Sequence, residues 1–282
     1  MRRFVDRAVP WLFGLCAAAA CAVLMLIVAA ILFRGVPAIT WSFLTEQIRL
    51  VGASGGIFYN LVGTIILILT ALFVSVPLAI ALSLVHSVYL DAHPLRRHVT
   101  LFLYTLNGVP SILFGIFGMI MFVNFLGLGK SWLSGGILLG AMILPTVSIA
   151  LIERIESIPR KYIEAAAGLG LSQSQTIWSV ILPQSVSGLL TGSLLGLARA
   201  AGETAPIMFT ATIFAGATIP HGIRQSPVLS LPYHIFILAQ DSFDPVASTK
   251  LWGAALVLLA LAFALSLIAL PARLRIHEEA KH

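Results

Sequence analysis

The sequence contains little charge and almost no cysteine. Asp, Glu, Lys and Arg make up 10% of its 282 residues, whereas 59% of the residues are hydrophobic. Because a soluble domain usually carries about 25% charged residues, this composition excludes an ordinary soluble protein and predicts an integral membrane protein. The two cysteines, Cys16 and Cys21, lie in one apolar run. On a helix they are too far apart for a disulfide bond, and their spacing matches no metal-binding motif.

The sequence also lacks the signatures of catalysis and of nucleotide binding. No Ser/His/Asp or Cys/His arrangement suits covalent catalysis. The segment 124–131 resembles a phosphate-binding loop, but Asn124 replaces the first glycine and no strand is expected before it. His86, His93 and His98 are expected in a solvated loop rather than around a metal. We therefore predict a non-catalytic chain that holds no metal or cofactor of its own.

Long apolar runs fill most of the chain. A run of this length spans the hydrocarbon core of a bilayer as a helix of roughly 20 residues. The sequence predicts an all-α polytopic protein with six transmembrane helices, at about 11–33, 57–84, 99–125, 135–152, 185–213 and 247–270. The segments 34–56 and 214–246 are predicted to be loops, and His221 and His234 are expected as polar groups of the second loop.

The distribution of Lys and Arg predicts the orientation of these helices. Cytoplasmic segments carry an excess of positive charge. If the N-terminus is cytoplasmic, eleven basic residues lie inside and five outside, with Arg199 within a span; the inside set is Arg2, Arg3, Arg7, Arg96, Arg97, Arg154, Arg160, Lys161, Arg273, Arg275 and Lys281. Both termini are therefore predicted in the cytoplasm. The net charge of +6 reflects this topology and does not indicate a nucleic-acid partner.

A polar stretch with many small residues, 159–183, interrupts the apolar pattern before the fifth predicted span. It contains Glu164-Ala165-Ala166, Gly170 and, at its end, Val180-Ile181-Leu182-Pro183. The alanines favour a helix with little side-chain bulk, and the glycines allow a sharp reversal. Ser172 and Gln175 form the pattern of a capping box that opens a second helix, which Pro183 is expected to close. We predict a helix–turn–helix elbow (residues 159–183) that lies in the cytoplasm.

The spacing of this stretch resembles the EAA signature of bacterial ABC-importer permeases, with Val180 in place of the usual isoleucine. The resemblance implies the six-helix fold of type I (MetI-like) ABC importers. It also implies that Glu164, Ala165, Ala166, Gly170 and Pro183 couple the chain to a separate ATPase, which binds ATP and Mg²⁺.

A second motif, Arg199-Ala-Ala-Gly-Glu203-Thr204-Ala-Pro206, places ionisable residues at bilayer depth. Arg199 and Glu203 are four residues apart, so they share a face of a helix and can pair. Ionisable groups in a membrane are costly and usually mark a transport path. We expect Arg199 on the path of an anion, with Glu203 holding it and Thr204 beside them. A purely structural ion pair remains the alternative.

Together with GVPSILFGIFG at 108–118 and SLPYHIF at 230–236, this motif resembles the PstA family of bacterial phosphate-importer subunits. The resemblance covers about 55–272. It implies a PstC-like permease partner, two copies of a PstB-like ATPase and a PstS-like periplasmic phosphate-binding protein, in the bacterial inner membrane. The predicted organisation is an N-terminal span and loop (1–56), a permease core (57–272) and a cytoplasmic tail (273–282).

The residues themselves leave other functions open. An arginine suits sulfate or another oxyanion as well as phosphate. A secondary anion carrier could use Arg199 and Glu203 as a relay. Such folds usually contain paired inverted halves with broken helices in both, but the first half of this sequence has no matching repeat of RAAGET (199–204), and a carrier would not need the elbow. A membrane scaffold for a sensor kinase is the third alternative.

Overall fold

Helices form nearly all of the structure. The computed structural model describes residues 2–49, 54–214, 216, 219–241 and 244–279. The helices are α1 (Arg2–Gly35), α2 (Trp41–Thr45), α3 (Phe58–Leu84), α4 (Leu95–Asn107), α5 (Ser111–Gly118), α6 (Trp132–Glu156), α7 (Arg160–Gly168), α8 (Gln173–Thr176), α9 (Leu182–Gly202), α10 (Ala205–Thr210), α11 (Leu231–Gln240) and α12 (Pro245–Glu279).

Short irregular elements connect these helices. A 3₁₀ turn covers Val36–Ala38, and π-helical turns cover Val85–Tyr89, Met119–Phe125 and Ile177–Ile181. Strands β1 (Ile48–Arg49) and β2 (Ser54–Gly55) pair antiparallel within the first predicted loop. Residues 50–53 of that loop, and Lys281 of the predicted tail, lie outside the described residues.

Five helical stretches in the described residues are long and apolar enough to cross a membrane. They are Pro10–Ala38, Phe58–Tyr89, Trp132–Glu156, Gln173–Gly202 and Pro245–Leu267. A bent pair, Leu95–Asn107 with Ser111–Phe125, brings the number to six if it counts as one span. The predicted all-α polytopic fold is confirmed.

Helix α6 forms the centre of the protein, between α3 and α9. Its residues Leu139, Met142 and Ile143 are completely or almost completely buried and share a core cluster with side chains from α3, α9 and α10. Helix α9 approaches α6 through Gly188, Gly192 and Gly196. A Cβ at Gly192 would lie only 2.9 Å from the Val147 carbonyl oxygen, so the close approach requires glycine.

The third predicted span is broken, which corrects the expectation of a continuous helix over 99–125. Helix α4 ends at Asn107, α5 begins at Ser111, and their axes differ by 94°. Pro110 has no N–H to donate to the carbonyl four residues earlier, and its ring disfavours helical geometry at Val109. The chain therefore turns at Gly108–Pro110.

The fifth predicted span ends earlier than expected. Helix α9 ends at Gly202, so the prediction of a span to residue 213 is wrong; Glu203 has extended geometry (φ −78°, ψ 128°) and α10 follows separately. Pro206 cannot donate the hydrogen bond that would continue the helix from Gly202.

Pro183 does not close the elbow's second helix, which corrects another expectation. It lies in the first turn of α9, and one helical stretch runs from Gln173 to Gly202. A π-helical turn directly precedes Leu182. Such a turn changes the hydrogen-bond register, so the missing N–H of Pro183 is accommodated without ending the helix.

The region predicted as the loop 214–246 contains a helix, α11. Its residue His234 is 4% exposed, so the expectation of a loop polar group is wrong for this residue. Burial, and to a smaller extent the nearby Lys250 charge, lower the pKa of His234 to about 4. His221 is exposed, as expected.

Candidate functional site

The break after α4 and the break after α9 bring four polar side chains together. Arg199 is in the last turn of α9, and its Nη1 donates a hydrogen bond of 2.6 Å to Oδ1 of Asn107 at the end of α4. Thr146 of α6 donates from its hydroxyl to the same Oδ1 at 3.1 Å. Glu203 completes the group, with its Oε1 3.7 Å from Nε of Arg199. We call these four residues the arginine cluster.

The predicted pair of Arg199 and Glu203 is present, but not as two residues on one helix. Glu203 is the first residue beyond α9, and 3.7 Å is an ion-pair distance rather than a hydrogen bond. The side chains are 27% and 17% exposed, respectively, so neither is fully buried. Thr204 follows at the start of α10 and provides no side-chain cap to that helix.

The arginine has most of its donor capacity left. A guanidinium carries five N–H groups. One of them binds Asn107 and one faces Glu203, so three have no acceptor among the described residues. A fork of this kind can donate two parallel hydrogen bonds to a tetrahedral oxyanion. The cluster can therefore bind an anion without losing its own contacts.

The coupling residues predicted from the EAA stretch lie on the elbow. Glu164 and Ala165 are exposed on α7, whereas Ala166 on the next position is buried. Gly170 is the turn residue, with φ of +75°. The Ser172–Gln175 capping box is present in both directions. Pro183 lies outside the turn of the elbow and is exposed at the start of α9.

The elbow presents large apolar side chains to the surface. Leu169 is 81% exposed and Trp178 is 73% exposed, and Tyr162 is also exposed. Leu169 lies between α7 and α8, where an exposed apolar side chain is available to a partner protein, whereas Trp178 lies in the candidate membrane-crossing stretch Gln173–Gly202. The EAA pattern indicated the small residues of the elbow and gave no indication of these larger ones.

An ion-pair network fixes the other end of α4 beside the elbow. Arg96 donates to Asp91 and, at 2.7 Å, to Oε1 of Glu156 at the end of α6. His86 is buried and hydrogen-bonded through Nε2 to Thr100 at 2.9 Å, which corrects the expectation that this histidine is solvated. A cleft of about 530 Å³ separates this network from α7 and α8.

Asn107 and Thr146 were not among the site residues predicted from the sequence. Both are polar residues next to a helix irregularity: Asn107 precedes Gly108-Val-Pro110, and Thr146 follows Pro145 inside α6. Polar side chains beside proline in an apolar run were the available signal. The contacts of Asn107 with Arg199 and with Thr146 could not be derived, because 92 and 39 positions separate these residues along the chain.

Comparison with known proteins identifies the family. Residues 75–274 match the family described as "Binding-protein-dependent transport system inner membrane component". This chain belongs to that family. Its relatives include the "Probable phosphate transport system permease protein PstA" of Methanocaldococcus jannaschii, which is 31% identical over 237 residues, or 83% of this chain and 81% of the relative.

Two further relatives have related names. The "Phosphate transport system permease protein PstA" of Xylella fastidiosa is 33% identical over 227 residues, covering 80% of this chain and 77% of the relative. The "Probable ABC transporter permease protein YqgI" of Bacillus subtilis is 29% identical over 219 residues, covering 78% and 73%. The resemblance to the PstA family is thereby confirmed.

Solved structures show the same fold at low sequence identity. An inward-facing MetNI methionine ABC transporter superimposes with a TM-score of 0.58 at 15% identity, over 78% of this chain and 94% of that chain. An amino acid ABC transporter crystallised with histidines gives 0.55 at 14%, over 77% and 92%. The predicted MetI-like permease fold is confirmed.

Proposed function

We propose that this chain is a membrane permease subunit of an ATP-driven phosphate importer. The observation that carries the proposal is the arginine cluster, in which Asn107 and Glu203 hold Arg199 and three of its N–H donors have no acceptor among the residues that the structure describes. The choice of phosphate as the substrate rests on the names of the PstA relatives, because a guanidinium alone would bind sulfate equally well.

The charge balance of the cluster suits reversible binding of an anion rather than tight binding. Glu203 lies close enough to offset the charge of Arg199, so the cluster as a whole is nearly neutral. A transporter must bind its substrate and then release it, and an unopposed arginine would hold a doubly charged anion more tightly. Glu203 therefore keeps the guanidinium in place and moderates its attraction for the anion.

The elbow is the proposed point of contact with the ATPase. Glu164 and Ala165 provide a small exposed face, and Leu169 provides apolar surface for burial in a groove of a partner. ATP and Mg²⁺ would be bound by that separate chain, a PstB-like ATPase dimer. A PstC-like subunit would form the other half of the path, and a PstS-like protein would deliver phosphate from the periplasm.

Helix α4 offers a physical connection between the elbow and the arginine cluster. Its Arg96 binds Glu156 where α6 leads into the elbow, and its Asn107 binds Arg199. These contacts lie at opposite ends of a 13-residue helix, which is about 20 Å long. A displacement of the elbow can thus reach Arg199 through one rigid element, as alternating access requires.

We place the chain in the inner membrane with both termini in the cytoplasm.

Secondary carriers often contain broken helices, but the broken helices of this chain are not by themselves a reason to prefer a carrier. Family membership and the exposed elbow both indicate a chain that works with an ATPase. Another oxyanion, such as sulfate, remains an outcome of the test.

Uptake of labelled phosphate and sulfate tests the proposal. Cells that lack the chain should regain ATP-dependent phosphate uptake, without sulfate uptake, when it is restored. Arg199→Gln should reduce phosphate uptake about 100-fold or more, because it removes charge-assisted hydrogen bonds worth about 1.5–3 kcal/mol each. Arg97→Gln, an equal change of charge at an exposed position of α4, is the control.

Different outcomes test the identity of the substrate and the role of Arg199. Restored sulfate uptake would contradict the proposed substrate. Phosphate uptake that is undiminished in Arg199→Gln, at a normal level of the subunit in the membrane, would contradict the proposed path. An Arg199→Gln subunit that fails to assemble would instead support a structural ion pair.

A further inference from the structure

Asn107 has an unusual position among the polar residues of the spans. It ends α4 directly before the 94° bend, and its Oδ1 accepts hydrogen bonds from Arg199 of α9 and Thr146 of α6. One carboxamide oxygen thus connects three helices. A carbonyl oxygen has two lone pairs, so both are used by these two donors.

This geometry determines the orientation of the amide. If the side chain were rotated by 180° about its last bond, its NH₂ group would face Nη1 of Arg199, which can only donate. Two donors would then face each other and the 2.6 Å hydrogen bond would be lost, which is unfavourable. The NH₂ group of Asn107 is therefore directed away from these partners. It has no acceptor in the part of the chain that the structure describes, and the residue is exposed.

We propose that Asn107 is the positioning residue of the anion path: it orients the guanidinium of Arg199, and its free NH₂ adds a neutral donor for the passing anion. The inference rests on the proposed function and assigns a role within the same site. Asn107 immobilises one Nη1 proton, and Glu203 faces Nε on another edge. The remaining donors of the guanidinium then keep one fixed direction.

The residue type suits this task. An aspartate at position 107 would also accept from Arg199, but it would add a second carboxylate beside Glu203 and make the cluster negative. An alanine would leave the guanidinium held by Glu203 alone, at 3.7 Å. Asparagine provides an acceptor for Arg199 and a donor for the anion at no net charge.

The test compares the KM and the maximal rate of phosphate uptake in cells. Asn107→Ala should raise the KM about ten-fold, the usual effect of one hydrogen bond to a charged group, and change the maximal rate less than two-fold. Asn107→Asp should raise the KM further, because it repels the anion. Thr146→Val, which removes one donor and leaves Asn107 in place, should raise the KM two- to five-fold. A merely structural role would lower the amount of subunit and the maximal rate at an unchanged KM.

Each result either supports or overturns the role of Asn107. An unchanged KM in Asn107→Ala overturns it. If Asn107→Ala does not reach the membrane, an unchanged KM in Thr146→Val overturns it instead. Arg199→Gln, measured in parallel, distinguishes the two proposals: full uptake in that variant rejects the anion path, whereas lost uptake with a normal KM in Asn107→Ala rejects only the positioning role. If the wild-type chain transports sulfate, the same KM comparison is made with sulfate.

Discussion

Replacing Gly170 by alanine tests whether the conformation of the elbow couples ATP hydrolysis to transport. Gly170 has φ of +75°, and a Cβ at this position would meet no atom within 4 Å. The substitution therefore produces no clash within the chain. Its only cost is the left-handed backbone geometry, which a residue with a Cβ adopts at about 1–2 kcal/mol. The native turn should become about 5- to 30-fold less favourable relative to other conformations of the elbow.

The expected result is a loss of coupling without a loss of the subunit. The strain is confined to the exposed turn between α7 and α8, so Gly170→Ala should insert and assemble normally. Phosphate uptake per ATP hydrolysed should fall at least several-fold. Gly170→Asn should recover much of the activity, because asparagine adopts left-handed geometry more readily than alanine. Uptake in cells and ATPase activity of the purified complex measure the ratio.

Gly168 supplies the matched control. It ends α7, it also has no neighbour within 4 Å, and its φ is not positive. Gly168→Ala should leave uptake unchanged, or stabilise the helix slightly. If Gly170→Ala keeps a normal ratio of uptake to hydrolysis, the reasoning from turn geometry is refuted. If Gly168→Ala and Gly170→Ala are equally defective, contact with the partner rather than backbone strain is responsible.

Two further predictions concern stability. Gly192→Ala should destabilise the subunit by about 1–3 kcal/mol and lower its thermal midpoint in detergent, because the added Cβ would lie 2.9–3.0 Å from Val147 and Ala150. Gly14→Ala, with no neighbour within 4 Å, should show no such loss, and an equal loss would contradict the packing argument. His234, with a folded pKa of about 4 against 6.5 unfolded, should make stability fall by up to about 3 kcal/mol as pH decreases from 6.5 to 4. Below pH 6.5 the unfolded state binds a proton that the folded state does not, so His234→Gln should flatten this part of the midpoint–pH curve; an unchanged slope would disprove it.

The spans and the elbow could be predicted from sequence because their causes are local. The predicted second span, 57–84, agrees with α3 (Phe58–Leu84) to within one residue, since a long apolar run needs no distant partner to form a helix. The capping box of Ser172 and Gln175 was predicted correctly for the same reason: both of its hydrogen bonds join residues three positions apart.

Proline shows where local reasoning fails. Pro110 lies in the break between α4 and α5, whereas Pro183 lies in the first turn of α9 within a continuous helical stretch, and Pro145 lies inside α6. Every proline frees a carbonyl, but whether the helix breaks depends on what else accommodates that carbonyl. A π-helical turn does so before Pro183. The sequence around a proline does not contain this information. The two wrong predictions of span boundaries, in the third and fifth spans, therefore arose next to prolines.

The break after α9 also changes what Arg199 can do. A continuous helix to residue 213, as the apolar pattern predicted, would have placed Glu203 on the same face as Arg199 and paired the two closely. Because α9 ends at Gly202, Glu203 turns away with ψ of 128° and lies 3.7 Å from Nε, outside hydrogen-bond distance. The break after α4 at the same time brings Asn107 to Nη1 at 2.6 Å. The two breaks thus replace a closed ion pair by an arginine that is oriented and still has donors to offer. An intact fifth span would have stabilised the pair and left Arg199 without donors for the proposed anion path.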